Sequence, residues 1–303
     1  MRFQSLAQRP RQFLRFTGFT PEEFTGLVGT IREDWKRVRA SRLKQDRVRI
    51  VGGGAKPILT LLEDRLLVFA LYAKLYLPYS LLEHLFGIDE STVCRIIQEM
   101  TPVLGMKIIV QRPGKRIRTL EELREAFPDI DSVLGDATEQ RIPRPQKKRE
   151  RKKHHSGKKK TFTLKTQILT DRNGIILHVA DSSPGRVHDY KQFKNTDIPE
   201  WLEDNPQITG YFDSGYQGVA KDYPKASIRI PVKRSRSKKE LTRSEKIYNT
   251  KQRKIRVTVE HVFSRLKKFR ILADVYRNDK ERYCATFRSI AFLSNFRTLA
   301  RAS

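Results

Sequence analysis

The chain has 303 residues, 38% of them hydrophobic, and carries 62 lysines and arginines against 34 acids, a formal net charge of +28. That length holds one large domain or two ordinary ones, each with its own core. That charge selects polyanions as partners: DNA, RNA or an anionic membrane surface. The first ten residues lack the apolar stretch of a secretory signal. The longest apolar run, Leu66 to Ala73, is far short of the ~20 residues a spanning helix needs. The expectation is a soluble protein inside the cell. Cys94 and Cys284 lie far apart in sequence and read as separate buried thiols, not as a disulfide or a metal pair.

In chain order, the first clear element is a helix opening at Thr20. Thr20 can cap it, Pro21 suits its first position, and Glu23 completes a capping box. Phe24, Leu27, Val28 and Ile31 then recur at helical spacing. Val51 to Ala55, with three glycines, is a flexible break. Leu61 to Ala70 reads as a broadly apolar helix. A short helix follows at Tyr79 to Phe86, Gly87 makes a turn, and Asp89 can cap a third helix with Val93, Ile96 and Ile97 facing inward. Short helix, glycine turn and capped helix is the pattern of a helix-turn-helix. An ordinary three-helix bundle would give the same pattern.

Beyond a polar helix near Leu120 to Phe127, the periodicity changes. Ile130 to Gly135 is a short apolar run ending at Asp136. Thr161 to Thr170 alternates polar and apolar residues, Asp171 to Gly174 is a hairpin turn, and Ile175 to Ala180 is the return strand. A helix at Val187 to Phe193, strands at Ile208 to Phe212 and Ile228 to Val232, and helices at Leu241 to Lys268 and Asp279 to Ala300 complete the chain. Strands mixed with helices in this order predict an α/β domain.

Two aspartates, Asp136 and Asp213, sit just past predicted strands, at the sheet rim where such folds build sites. Glu260 is a charge inside an apolar helical stretch, Val257 to Phe263, and calls for a partner. Three converging carboxylates would suit Mg²⁺, which takes oxygen ligands and keeps several waters. A pair of such ions, about 4 Å apart, can activate a water or a 3′-hydroxyl. Each acid also has a plain reading. Asp136 and Asp213 can cap or turn, and Glu260 can pair with Arg256 on the helix surface. Between the first two acids, residues 141–160 form a basic loop, ending in Lys158, Lys159 and Lys160, expected to be disordered alone and to fold onto phosphate. His154 and His155 within it suit phosphate contact or solvation better than a metal. A second basic run, Lys233 to Lys246, precedes Glu260.

At these residues the sequence resembles the insertion-sequence-five group of DDE-superfamily transposases, related to the Harbinger type. The resemblance rests on Gly135-Asp-Ala-Thr-Glu139, Ser156 to Lys165, Pro184-Gly-Arg-Val-His-Asp189 and Asp213-Ser-Gly-Tyr-Gln-Gly218. It also rests on a helical signature in which Tyr, Arg, Glu and Lys are separated by two, three and six residues. Arg256, Glu260 and Lys267 keep that spacing, while Arg253 stands where the pattern has Tyr. The resemblance covers nearly the whole chain. It implies an RNase H-like catalytic fold with Asp136, Asp213 and Glu260 as a triad holding Mg²⁺, with Mn²⁺ as a substitute and two ions expected. It also implies a helix-turn-helix that helps recognise terminal inverted repeats.

The combined expectation is a helical segment and linker at 1–56, a helix-turn-helix domain at 57–112 and an RNase H-like domain at 113–303. The function expected is DNA cleavage at element ends and strand transfer into target DNA. Arg256 and Lys267, near whole turns from Glu260, are expected to share its face and to contact phosphate together with Lys158, Lys159 and Lys160. The weaker candidates His188 and Asp189 brace the site, or His188 caps a helix. Partners are double-stranded DNA and a second copy of the chain, with no membrane. The expected location is the bacterial nucleoid, or the nucleus in a eukaryote. A transposase-derived regulator without activity and a metal nuclease that does not join strands are the alternatives.

Overall fold

The computed structural model describes residues 1–42, 57–105, 111–112, 115–116, 122, 125, 129–234 and 240–301. The glycine-rich break at 51–55 and nearly all of the polar helix near 120–127 lie outside the described residues. The chain divides into two compact units.

The first unit comprises Met1–Gly105, Lys267–Ala273 and Ala285–Ser303. Its helices are α1 (Phe3–Ala7), α2 (Pro10–Thr17), α3 (Pro21–Ser41), α4 (Leu62–Leu75), α5 (Tyr79–Phe86) and α6 (Glu90–Leu104). The expected capping box opens α3: Glu23 N–H donates to Thr20 Oγ1 at 3.1 Å, and Thr20 N–H donates to Glu23 Oε2 at 2.9 Å. The sequence reading missed α1 and α2. They are short and no side chain caps them. They are held by burial of Leu6 and Phe13, with Phe13 edge-on to Phe3 and Phe24. Helix α4 is buried all round from Asp64 to Ala73, so it forms the centre of the unit. Between α5 and α6, Gly87 turns the chain with φ 66°, and Thr92 N–H donates to Asp89 at 3.0 Å. The helix-turn-helix geometry read from the sequence is therefore present.

The second unit comprises Met106–Leu266 and Asp274–Cys284. A small ribbon, β1 (Gln111–Arg112) with β2 (Lys115–Arg116), precedes the main sheet. The sheet centres on β3 (Ser132–Arg141). The unit continues with α7 (Lys148–His154), β4 (His155–Ser156), β5 (Thr161–Thr170), β6 (Ile176–Val179) and β7 (Ser183–Pro184). Then come α8 (Asp189–Lys194), α9 (Ile198–Asp204), β8 (Thr209–Tyr211), α10 (Val219–Asp222), β9 (Ile228–Arg229) and α11 (Arg243–Leu266). A last helix, α12 (Tyr283–Ala300), begins here and ends in the first unit. β3 pairs antiparallel with β5 on one side and parallel with β8 on the other, and β9 extends the parallel half. β4, β6 and β7 pair with successive stretches of β5. A mixed sheet flanked by helices, in this order, is the RNase H-like α/β arrangement expected.

One face of the sheet packs Val133, Leu169 and Leu177 against Phe193, Trp201, Phe212 and Tyr216. The backbone must come close to the Phe212 ring. A Cβ at Gly135 would lie 2.2 Å from it, so only glycine fits there. The turn at Asp171 to Gly174 forms as expected, with Gly174 at φ 74° and Ile175 N–H bonded to Asp171 Oδ1 at 2.7 Å.

Three expectations are corrected. Asp136 does not follow a strand but lies in the middle of one. β5 offers backbone partners as far as Arg141, so β3 runs on through the polar stretch Asp136–Gln140. The basic loop 141–160 is structured: α7 forms, and His154 is buried with Nδ1 2.9 Å from the Glu150 carbonyl oxygen. Phosphate contact and solvation are therefore closed to His154. Cys94 and Cys284 form no disulfide, as expected, but are only half-buried.

In the helical unit a buried ion pair ties α4 to α6. Arg65 Nη1 lies 3.2 and 3.1 Å from the two Glu99 carboxylate oxygens, Arg65 Nε donates to the Leu59 carbonyl at 2.9 Å, and Trp35 Nε1 donates to Glu99 at 2.5 Å. Removing one member strands a buried charge, which costs about 3–5 kcal/mol. Glu99→Ala is therefore expected to lower stability by roughly 3 kcal/mol, read by urea unfolding of the far-ultraviolet helix signal. A change within about 0.5 kcal/mol, the range of ordinary surface substitutions, would show that the pair carries no such weight.

Candidate active site

Asp136 and Asp213 come together through strand register. β3 and β8 run parallel, with Leu134 opposite Tyr211. Two residues further along each chain stand Asp136 and Asp213. Asp213 caps a 3₁₀ turn, Ser214–Tyr216, and its Oδ1 accepts from Gly215 N–H. Asp136 Oδ1 accepts from the Ala137 N–H at 2.8 Å. Helix α11 packs along both strands and brings Arg256 to Asp136, Nη2 to Oδ2 at 3.3 Å. Arg256 is thus turned to an acid of the site, and its pairing with Glu260 on the helix surface is not observed. Its Nε is buried without a hydrogen-bond acceptor.

A second acid–base cluster adjoins these residues. Lys165, on β5, is buried, and its Nζ lies 2.6 Å from Asp189 Oδ1 and donates to the Val187 carbonyl at 2.6 Å. Glu139 Oε1 is 4.0 Å from the same nitrogen. Asp189 is the first residue of α8. Tyr216 is fully buried, and among the described residues its hydroxyl has no hydrogen-bond partner.

The electrostatics follow from this crowding. The Asp136 carboxyl is pushed up to about 6, first by loss of solvent, with the negative charges of Asp213 and Asp189 adding to it. The Ala137 N–H and Arg256 oppose the shift without cancelling it. Burial raises the Tyr216 hydroxyl well above its ordinary range, and Asp136, Asp189 and Asp213 raise it further. Loss of solvent, more than the neighbouring charges, therefore sets the electrostatics here.

The remaining expected residues lie as follows. Glu260 is exposed on α11, one turn past Arg256. Its exposure removes the burial penalty that called for a partner. Among the described residues no three histidine, cysteine or acid side chains converge closely enough to hold a metal ion. Lys267 lies one residue past the end of α11, so helical spacing no longer sets its direction relative to Glu260. Lys158, Lys159 and Lys160 are exposed in the turn between β4 and β5, where Lys160 adopts a left-handed φ of 52° and its N–H bonds to the Ser156 carbonyl at 2.9 Å. His188 stands at the N-terminus of α8, is exposed and makes no capping bond. The run Lys233 to Lys246 is described only outside 235–239.

Sequence reasoning missed Lys165 and Tyr216. A lysine at an inward position of a strand that is otherwise apolar and threonine-rich was the available signal for Lys165. Tyr216 read only as part of a motif.

Residues 135–295 match the family model described as DDE superfamily endonuclease. That match spans more than half of the chain. The chain belongs to the DDE superfamily endonucleases. A second family model, the helix-turn-helix of DDE superfamily endonuclease, matches residues 59–107, which include α4 to α6. The chain is 30% identical over 292 residues to a probable transposase for insertion sequence element IS702 of Microchaete diplosiphon, covering 96% of each chain. It is 25% identical over 269 residues to a putative transposase for insertion sequence element IS112 of Streptomyces albus G, covering 88% of each. As a member of this family the chain is of nuclease type. Among the described residues, no helix is long and apolar enough to cross a membrane.

The oxygen donors fit a divalent cation. Asp136 and Asp213 carry hard oxygen donors, the kind Mg²⁺ takes, and a cation would relieve the burial cost that raises Asp136. In metal-free protein that cost has a testable sign. The folded-state value of about 6 lies above the ordinary 3.8, so the folded protein holds this proton more tightly. Stability from this group is full below about pH 4 and is lost as pH rises to about 6. Asp136→Asn removes the effect, so its stability relative to wild type should rise across that interval, by at most roughly 3 kcal/mol. Urea unfolding of both proteins in chelator from pH 4 to 7 tests this. A constant difference would refute it.

Proposed function

We propose that this DDE superfamily endonuclease is a transposase that cuts DNA at the ends of its own element and joins the freed 3′ end to target DNA. The observation that carries the reading is the pair Asp136, within β3, and Asp213, just past β8, which the parallel register of the two strands brings together. Non-catalytic DNA binding gives no reason to keep such a pair in a chain of net charge +28. An intact acid pair is what the regulator reading lacks an account of.

Asp136 and Asp213 are proposed to hold Mg²⁺, or Mn²⁺ in its place, with Glu260 closing on it from α11. Two ions are expected. Bound divalent ions supply activation of the attacking water or 3′-hydroxyl and neutralise charge on the leaving oxygen. The protein's own part is positioning. Arg256 orients Asp136 through Oδ2 and keeps one Asp136 oxygen from turning away. Lys158, Lys159 and Lys160, in a turn fixed by backbone hydrogen bonds, offer three exposed ammonium groups to phosphates. The exposed face of α7, with Lys148, Arg149, Lys152 and Lys153, extends that surface. Lys267 is retained as a further phosphate contact. The helix-turn-helix of α5 and α6 is assigned to the terminal inverted repeats, with the capped start of α6 entering the major groove. Because two ends must be cut and joined, a dimer on DNA is proposed, working at the chromosome.

A nuclease that cuts without joining would share every residue named here. The test is therefore a duplex carrying the repeats that flank the gene, incubated with Mg²⁺ and a supercoiled target. Wild type is expected to nick the repeat end and to produce joined molecules, and Asp213→Ala and Asp136→Asn to do neither. Cutting by Asp213→Ala at the wild-type rate overturns the assignment, and cutting without joined product favours the plain nuclease. In a separate binding series, the Lys158→Ala, Lys159→Ala, Lys160→Ala triple variant should weaken affinity at every sequence. It should also lower the slope of log affinity against log salt by up to about 3, roughly one per lost phosphate contact. An unchanged slope removes this turn from the DNA.

A further inference from the structure

The site contains a third aspartate whose geometry the triad does not use. Asp189 Oδ1 is committed to Lys165 at 2.6 Å. Its other oxygen, Oδ2, is turned toward Gly215. A Cβ placed on Gly215 would lie 2.7 Å from Asp213 Oδ1 and 3.5 Å from Asp189 Oδ2. The two carboxylates thus converge on the same small volume, kept open by the absence of a side chain at Gly215. Lys165 neutralises Asp189 only from the far side, where the Val187 carbonyl also fixes the ammonium. Like charges facing one another across such a gap are unfavourable unless a cation stands between them.

An independent observation points to a bound species. The Tyr216 hydroxyl is fully buried and lacks a hydrogen-bond partner among the described residues. The acids that act most strongly on it are Asp136, Asp189 and Asp213. A buried hydroxyl without a partner forfeits the hydrogen bonds it would make in water, a cost that a bound species would relieve. Water in the shell of a hydrated cation held by these acids would supply the missing partner by donating to the Tyr216 oxygen. Mg²⁺ keeps several waters and is commonly held by only one or two carboxylates, so the lack of three converged ligands among the described residues is compatible with such a site.

We propose that Asp189 is a fourth carboxylate of the cation site, offering Oδ2 across Gly215 to an ion shared with Asp213 and aimed there by Lys165. The proposal rests on the metal-dependent reading above and adds a ligand to it. Lys165 is then a positioning residue: it fixes which oxygen of Asp189 faces the ion.

The test is Mn²⁺ binding to the full-length protein without DNA, measured by the electron paramagnetic resonance signal of free Mn²⁺. Wild type should bind, Asp213→Asn should bind far more weakly, and Asp189→Asn should lose tenfold or more in affinity, with Asp189→Glu recovering part of the loss. Asp189→Asn at wild-type affinity beside a weakened Asp213→Asn overturns the fourth ligand and leaves the triad standing. No binding by wild type sinks both readings. Asp189→Asn leaves Lys165 buried beside a neutral partner, so a second measurement avoids any substitution. Wild-type protein loaded with Fe²⁺ and treated with ascorbate and peroxide is expected to be cut in its backbone near 189 as well as near 136 and 213. Cuts at the latter two positions alone overturn the proposal.

Discussion

Ser132–Leu134 of β3 and Thr209–Tyr211 of β8 run side by side in the same direction, in a register that leaves Asp136 and Asp213 adjacent. Parallel strands cannot be joined by a tight turn; a crossover must lie between them. Here that crossover is β5, β6, α8 and α9, and it carries Lys165 and Asp189 to the same place. The acidic site is thus a consequence of one parallel pairing. The pairing in turn depends on contact at Phe212, whose ring fills the space beside Gly135 and Gly210. A slip of one residue would send Asp136 to the opposite face of the sheet.

That arrangement opposes the tendency of charges to stay in water. Burial raises the Asp136 carboxyl to about 6 despite an N–H donor and a guanidinium, so the unliganded site is less stable than its sequence neighbours could have made it. Local instability of this kind is tolerated where function needs the charge. The surrounding apolar cluster of Phe193, Phe212 and Tyr216, with ring centroids 4.9–5.6 Å apart, offsets it.

Much of this was legible in the sequence wherever a local rule governs. Thr20-Pro21 with Glu23, the Asp89 cap after Gly87, the alternation of Thr161–Thr170 and the Asp171–Gly174 turn all became the elements they predicted. Asp136 and Asp213 were singled out because acids near strand ends collect at a sheet rim, and the resemblance ordered them. The misses are non-local. Polar Asp136–Gln140 reads as loop, but β5 supplies backbone partners that hold it as strand. The basic stretch reads as unstructured, but the buried His154 ring anchors α7 against its charge. No periodicity could reveal that Arg256 would turn to Asp136, 120 residues away. Nor could it show that Lys165 would serve Asp189.

The direction of Glu260 is the remaining physical question in the site. Arg256 and Glu260 are four residues apart on α11, about 6 Å along the axis, and Arg256 already touches Asp136. The helix thus carries Glu260 one turn past the residue that touches Asp136, while its side chain keeps its solvent. A carboxylate that stayed buried beside Asp136 and Asp213 without a cation would add a further repelling charge. An exposed glutamate avoids that cost, and under the proposed reading it would turn inward once an ion offset it. The same logic explains why the basic elements stand away from the acids. Lysines at 158–160 and on α7 are the residues proposed to attract the polyanion, whereas Arg256, paired with Asp136, and Lys165, between Asp189 and Glu139, lie at the acids themselves. In the proposed function, attraction of DNA and retention of cations thus fall on different side chains, so that neither would neutralise the other before substrate arrives.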